Sequence, residues 1–140
     1  MVPSQQIVES TPGRDQLRFS SEEIDAARAL RQAGLPWVPA VGHYVFDELK
    51  QCKHPSPFQD GVYFILNYQY FMRDMGGEKR FQECMLWLPT WEDARGLLQD
   101  MNVSDREVAE MLMNEKALDA GNERLALYGL LLERLQRVSA

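Results

Sequence analysis

Only four side chains in this 140-residue sequence offer a thiolate or an imidazole to a metal ion: His43, Cys52, His54 and Cys84, all within 42 positions. Zinc takes four such groups in a tetrahedron, usually from pairs spaced so that both side chains can turn onto one ion. Cys52-Lys53-His54 leaves a single residue between two of them, shorter than that spacing, so no metal site is expected. The same stretch could supply a nucleophile and a base, as Cys52 with His54 or as His54 with Ser56 and Asp60. A working triad draws its members from separate rigid elements. These residues crowd into one short polar loop, and no Gly-x-Ser-x-Gly elbow is present.

The remaining chemistry is thinner. Asp47 and Glu48 are neighbours in an expected strand and so face opposite sides. Glu92 and Asp93 have a sufficient role at the start of a helix, whose positive end favours anions. Gly76-Gly77 lacks either glycine frame that gathers backbone N–H groups around a phosphate. No cofactor is therefore expected. Residues 103–112, Val-Ser-Asp-Arg-Glu-Val-Ala-Glu-Met-Leu, resemble the first helix of bacterial helix-turn-helix modules. The following Met113-Asn-Glu-Lys-Ala-Leu-Asp-Ala has neither a turn glycine nor a basic recognition helix, which leaves a capped amphipathic helix as the expectation.

The elements that would position these residues can be read from caps, breakers and periodicity. Residues 1–18 show no sustained apolar period and are expected to form an N-terminal arm, with a single domain over 19–140. Ser20 with Glu23 and Thr90 with Asp93 form capping-box patterns, predicting helices over 21–33 and from Trp91 to about Met101. Asn67 caps a short helix to Met75, which Gly76-Gly77 ends, and Glu78 to Glu83 can add another turn. Ser104 with Glu107 opens a further helix, and after the break at 119–122 a last helix runs to about Val138. Strands are expected over Gly42–Glu48, Val62–Leu66 and Cys84–Leu88, the second central in its sheet because it is apolar without alternation. The 13-residue connection 49–61 contains no helix, so the first two strands should be antiparallel. The fold class is α+β: a small, at least partly antiparallel sheet of about three strands with five or six helices and a helical C-terminal third.

Composition narrows function. Fifteen Lys and Arg oppose 21 Asp and Glu, and the longest basic grouping, Lys79-Arg80, is flanked by Glu78 and Glu83, which argues against nucleic acid and against an anionic membrane surface. The longest apolar run is five residues, far short of a membrane span. With no signal-peptide pattern at the start and only two cysteines, a reducing cytoplasm is the expected location.

Twelve of the 14 aromatic residues lie between Trp37 and Trp91. They can form the sheet core. Alternatively, Trp37, Tyr63, Tyr68, Trp87 and Trp91 can line an apolar pocket rimmed by the 49–61 loop, or Tyr70, Trp91 and Phe58 can stand out as anchors for a protein partner. In the last helix, Leu125, Tyr128, Leu132 and Leu135 form one stripe and Leu127, Leu131 and Val138 a second, which could face another copy of the chain. The first expectation is thus a non-enzymatic protein-interaction domain, self-associating as a homodimer through Leu127, Leu131 and Val138. The second is a small-molecule binding protein or enzyme with an aromatic-lined pocket, in which His43, Asp47 and His54 are the polar groups.

Overall fold

A computed structural model describes residues 18–57 and 59–139. The arm expected over 1–18 therefore lies, but for Arg18, outside the described residues, as does Phe58. The chain runs α1 (Ser21–Gln32), β1 (Tyr44–Asp47), β2 (Val62–Phe64), α2 (Tyr68–Met75), α3 (Glu78–Cys84), β3 (Met85–Leu88), α4 (Trp91–Asp100), α5 (Asp105–Asn114), α6 (Ala117–Ala120) and α7 (Glu123–Ser139). It is an α+β fold with a three-stranded antiparallel sheet and seven helices among the described residues. The helix beyond the expected number is α6, a single turn entered through Lys116 in the left-handed region.

Local chemistry sets the helix starts. Ser20 Oγ accepts from the Glu23 N–H at 3.1 Å while the Glu23 carboxylate accepts from the Ser20 N–H at 2.8 Å. Thr90 and Asp93 repeat the exchange at the start of α4, both at 3.0 Å. Each box satisfies two of the donors a helix leaves open. Ser104 caps α5 one way only, because the Glu107 carboxylate turns to Arg134 of α7 instead.

The strand order is β2-β1-β3, with Val45 opposite Tyr63 on one side and Trp87 on the other. β1 is the central strand, which corrects the expectation that Val62–Leu66 would be. The run is apolar because both faces of the sheet are covered, not because it has a strand on each side: Val62 enters one core while Tyr63 and Ile65 join the other. Leu66 has left the strand and is 73% exposed.

Alternation along the strands splits the interior in two. Tyr44, Phe46, Val62, Leu86 and Leu88 face the larger core, built with α1, α4, α5, α6 and α7. Val45, Tyr63 and Met85 face the smaller one, closed by Ile65, Met75, Phe81 and Cys84 with Trp37, Tyr68 and Phe71 at its margin. The last helix sits inside the larger core. Leu127, Tyr128 and Leu131 have no exposed surface, and the Tyr128 hydroxyl donates to the Pro89 carbonyl. Leu127 and Leu131 therefore do not belong to a self-association face. Both stripes of α7 are used within the domain, since α1 and α4 pack on it from two sides, and of the three expected interface residues only Val138 remains outside, 81% exposed.

Candidate functional site

The connection between β1 and β2 is held at several points. Asp47, 6% exposed at the end of β1, accepts the Gln51 N–H on one carboxylate oxygen and the Cys52 N–H on the other, both at 2.8 Å. Lys50 adopts a left-handed conformation within that turn. The paired bonds wrap the backbone around the carboxylate and deliver Cys52 toward the smaller core. Further on, the Tyr63 hydroxyl donates to the His54 carbonyl, tying the loop to β2. Near its far end the Gln59 amide pairs with the backbone of Phe19, donating at 2.7 Å and accepting at 2.9 Å. Gly61 closes the turn at φ +80°, where a Cβ would stand 2.8 Å from the Phe46 ring, so glycine is required there.

Held in this way, the loop forms one wall of a cleft of about 320 Å³. Cys52, Lys53, His54, Pro55 and Pro57 line the loop side; Tyr63 and Phe64 of β2, with Tyr70, Phe71 and Asp74 of α2, line the other, and Leu66 stands between. The walls are mostly carbon. The rim leaves Leu66 and Tyr70 in solvent, Tyr70 at 45%, placed by the Asn67 cap whose side chain accepts the Tyr70 N–H at 3.0 Å.

The electrostatics of the cleft oppose nucleophilic chemistry. Burial, followed by the Asp47 carboxylate, pushes the Cys52 thiol up to about 12, so it is protonated at neutral pH. Tyr63 is also raised, first by burial and then by Cys52, Asp47 and Asp60, which keeps its phenol a hydrogen-bond donor. The His54 imidazole takes part in no hydrogen bond among the described residues, and Ser56 Oγ lies 3.5 Å from the Gln59 N–H. Among the described residues no three His, Cys, Asp or Glu side chains gather as a metal ion would need.

Comparison of the chain with protein families, curated proteins and solved structures finds no match.

The remaining sequence candidates occupy separate places. Trp37 and Trp87 stack at 6.0 Å, His43 lies 5.0 Å from the Trp87 ring, and the Trp37 indole N–H donates to His43 Nδ1 at 3.0 Å. That bond fixes His43 with its proton on the other ring nitrogen. The Trp87 indole nitrogen is buried with no partner among the described residues. Tyr68 donates to Glu78 and so joins α2 to α3; that bond is the main reason its phenol is raised. Trp91 is on the opposite side of the sheet, packed on the larger core with Arg95 5.7 Å from its ring. The five aromatics expected around one pocket are thus divided, and of the eight candidates only His54 and Tyr63 line the cleft, with Asp47 holding the loop behind it. Leu66, Phe71 and the prolines of the loop did not stand out in the sequence. Their signal is the coincidence of a Pro-x-Pro loop with a helix carrying Tyr70-Phe71, and it acquires meaning only once the loop is folded back over β2.

Proposed function

We propose that this protein is a non-catalytic binding domain that engages another protein through the cleft between the 49–57 loop and α2. The observation that carries the reading is an apolar cleft, braced by the hydrogen bonds of Asp47 and Tyr63 to the loop backbone, whose rim leaves Leu66 and Tyr70 in solvent. Contiguous exposed apolar surface of this kind is favourable only when something covers it. Aromatic side chains at the centre of such surfaces supply large contact area with little entropy to lose. The same cleft could receive a free small molecule, but its open mouth and exposed rim favour a side chain presented by a larger partner. Self-association through the last helix is not part of the proposal, because Leu127 and Leu131 are core residues. We place the protein in the cytoplasm on the strength of two unpaired thiols, Cys52 and Cys84; among the described residues no helix is long and apolar enough to cross a membrane.

The test is the size of the native assembly. In gel filtration of extract from its own cells, the wild-type chain should elute within a larger complex. The double variant Leu66→Asp, Tyr70→Asp should elute as the free chain while keeping its circular dichroism and melting temperature. Co-elution of wild type and variant would refute the reading.

A further inference from the structure

The chain carries a formal charge of −6, yet its cations are used in two different ways. Every arginine that forms an ion pair among the described residues (Arg28, Arg95, Arg106, Arg124, Arg134 and Arg137) lies outside residues 49–84. The five basic residues inside that segment are all exposed. Among the described residues Lys50, Lys53, Arg73 and Lys79 make no side-chain hydrogen bond or ion pair, and Arg80 reaches only the neutral Gln51 amide, at 3.3 Å. Elsewhere among the described residues only Arg18, Arg31 and Lys116 lack a carboxylate partner. Four acidic residues share the segment: Asp60, Asp74, Glu78 and Glu83, with Glu78 engaged by Tyr68. The rest of the described chain holds nine basic and fifteen acidic residues. Of these eight cations without a carboxylate partner, Lys50, Lys53 and Arg73 lie on the 49–57 loop and α2, the two segments that form the cleft, where Asp74 is the one acidic residue; Lys53 is in the lining and Arg73 is next to Asp74 on α2.

We infer that the cleft takes an acidic protein segment bearing an apolar side chain, the apolar group entering between Tyr63, Leu66 and Tyr70 while flanking carboxylates meet Lys53 and Arg73. This rests on the reading of the cleft as a protein interface and adds the chemistry of the partner. Exposed cations with no internal partner lose no ion pair when an anion arrives, and they steer encounter from a distance, so complementarity appears in on-rate, specificity and salt dependence. A nucleic acid is the less suitable polyanion. The cleft offers carbon walls to a side chain rather than a continuous basic track to a backbone.

The test uses the full chain, ¹⁵N-labelled, with five probes: 12-residue peptides presenting one Leu and one Phe in a frame of Glu, of Gln or of Lys, a Glu/Ser peptide without apolar residues, and a 12-nucleotide oligothymidylate. The Glu-framed peptide should shift the amides of Tyr63, Leu66 and Tyr70 and bind about tenfold more tightly than the Gln-framed one, with the Lys-framed one weakest. That preference should shrink to about twofold in 0.5 M salt, where the Debye length is about 4 Å. Lys53→Glu with Arg73→Glu, both at exposed positions, should weaken the Glu-framed peptide about tenfold and the Gln-framed one by a clearly smaller factor, so that the preference between them disappears; an equal loss for both peptides overturns the charge pairing. Equal binding of the Gln- and Glu-framed peptides overturns the acidic partner but leaves the apolar interface standing. Cleft amides that respond to none of the three Leu- and Phe-bearing peptides overturn both. Tighter binding of the oligothymidylate, or of the peptide without apolar residues, overturns the inference in favour of simple polyanion attraction.

Discussion

Replacing Asp47 by asparagine tests whether a single buried carboxylate builds the cleft. The two oxygens of Asp47 each accept a backbone N–H at 2.8 Å. Asparagine keeps one oxygen and turns an NH₂ group toward the other donor. Losing one part-buried hydrogen bond to a charged acceptor costs about 1.5–3 kcal/mol. Alanine removes both acceptors, at about 2–4 kcal/mol, the upper limit being held down because the exposed loop can take up water. The loop should loosen before the domain unfolds, and Cys52 reports it. At pH 8 a thiol raised to about 12 is thiolate in about one molecule in 10⁴, against about one in ten at its ordinary 9.0, so full release would speed alkylation by up to about a thousandfold. Iodoacetamide labelling read by peptide mass mapping separates Cys52 from Cys84, which is 3% exposed and reports global unfolding. The expected result for both variants is a rise in Cys52 labelling that outpaces Cys84, together with the stated loss in urea melts. Unchanged Cys52 labelling with a loss under about 0.5 kcal/mol would show that Asp47 does not hold the loop.

Other perturbations follow from the same contacts. Trp87→Ala removes a side chain that stacks on Trp37 and should cost about 3–5 kcal/mol, whereas Thr90→Ala loses one cap of α4 and should cost about 0.5–2 kcal/mol; equal losses in denaturant melts would contradict this account of strand and helix. Glu23→Gln breaks a mostly buried pair with Arg124, whose guanidinium also lies 4.0 Å from the Phe19 ring, and should cost about 3–5 kcal/mol in the same assay. Gly61→Ala should destabilise by at least about 1–3 kcal/mol through the clash with Phe46 at positive φ. Cys52 and Tyr63 both keep their protons longer in the folded chain, so the unfolded chain loses protons first as pH rises. The contribution of Cys52 to stability is complete below pH 9 and falls away between 9.0 and about 12, and that of Tyr63 declines only above 10.0; urea melts at pH 8 and 10.5 should show the decline, and Cys52→Ala should lessen it.

The legible parts of the fold were those written in local chemistry. Ser20 with Glu23 and Thr90 with Asp93 name both partners of a capping box within four residues, Asn67 starts a helix through its side chain, and Gly76 and Asn102 mark helix ends by backbone preference. The antiparallel pairing of β1 and β2 followed from the length of their connection. What stayed hidden depends on distant contacts. An uninterrupted apolar strand says that both faces are covered, not which strands flank it, so β2 at the sheet edge reads like a central strand. Two leucine stripes say that α7 is apolar over a wide arc, but only the placement of α1 and α4 decides that Leu127 and Leu131 are spent inside the domain. The site was the least legible part. Asp47 acts on backbone N–H groups, which leave no residue signature, and the sheet pleat sends neighbouring aromatics to opposite cores, so their closeness in sequence overstated how far they share one site.

The most direct measurement of the binding surface is photo-crosslinking in the protein's own cells, with benzoylphenylalanine placed at Leu66 on the cleft rim or at Met113 on α5, two positions of nearly equal exposure, 73% and 72%. A discrete protein adduct at position 66, absent at 113 and lost when Tyr70→Asp is added, is the predicted result. The same adducts at both positions, or none at 66, would contradict the assignment of the cleft as the working face of this protein.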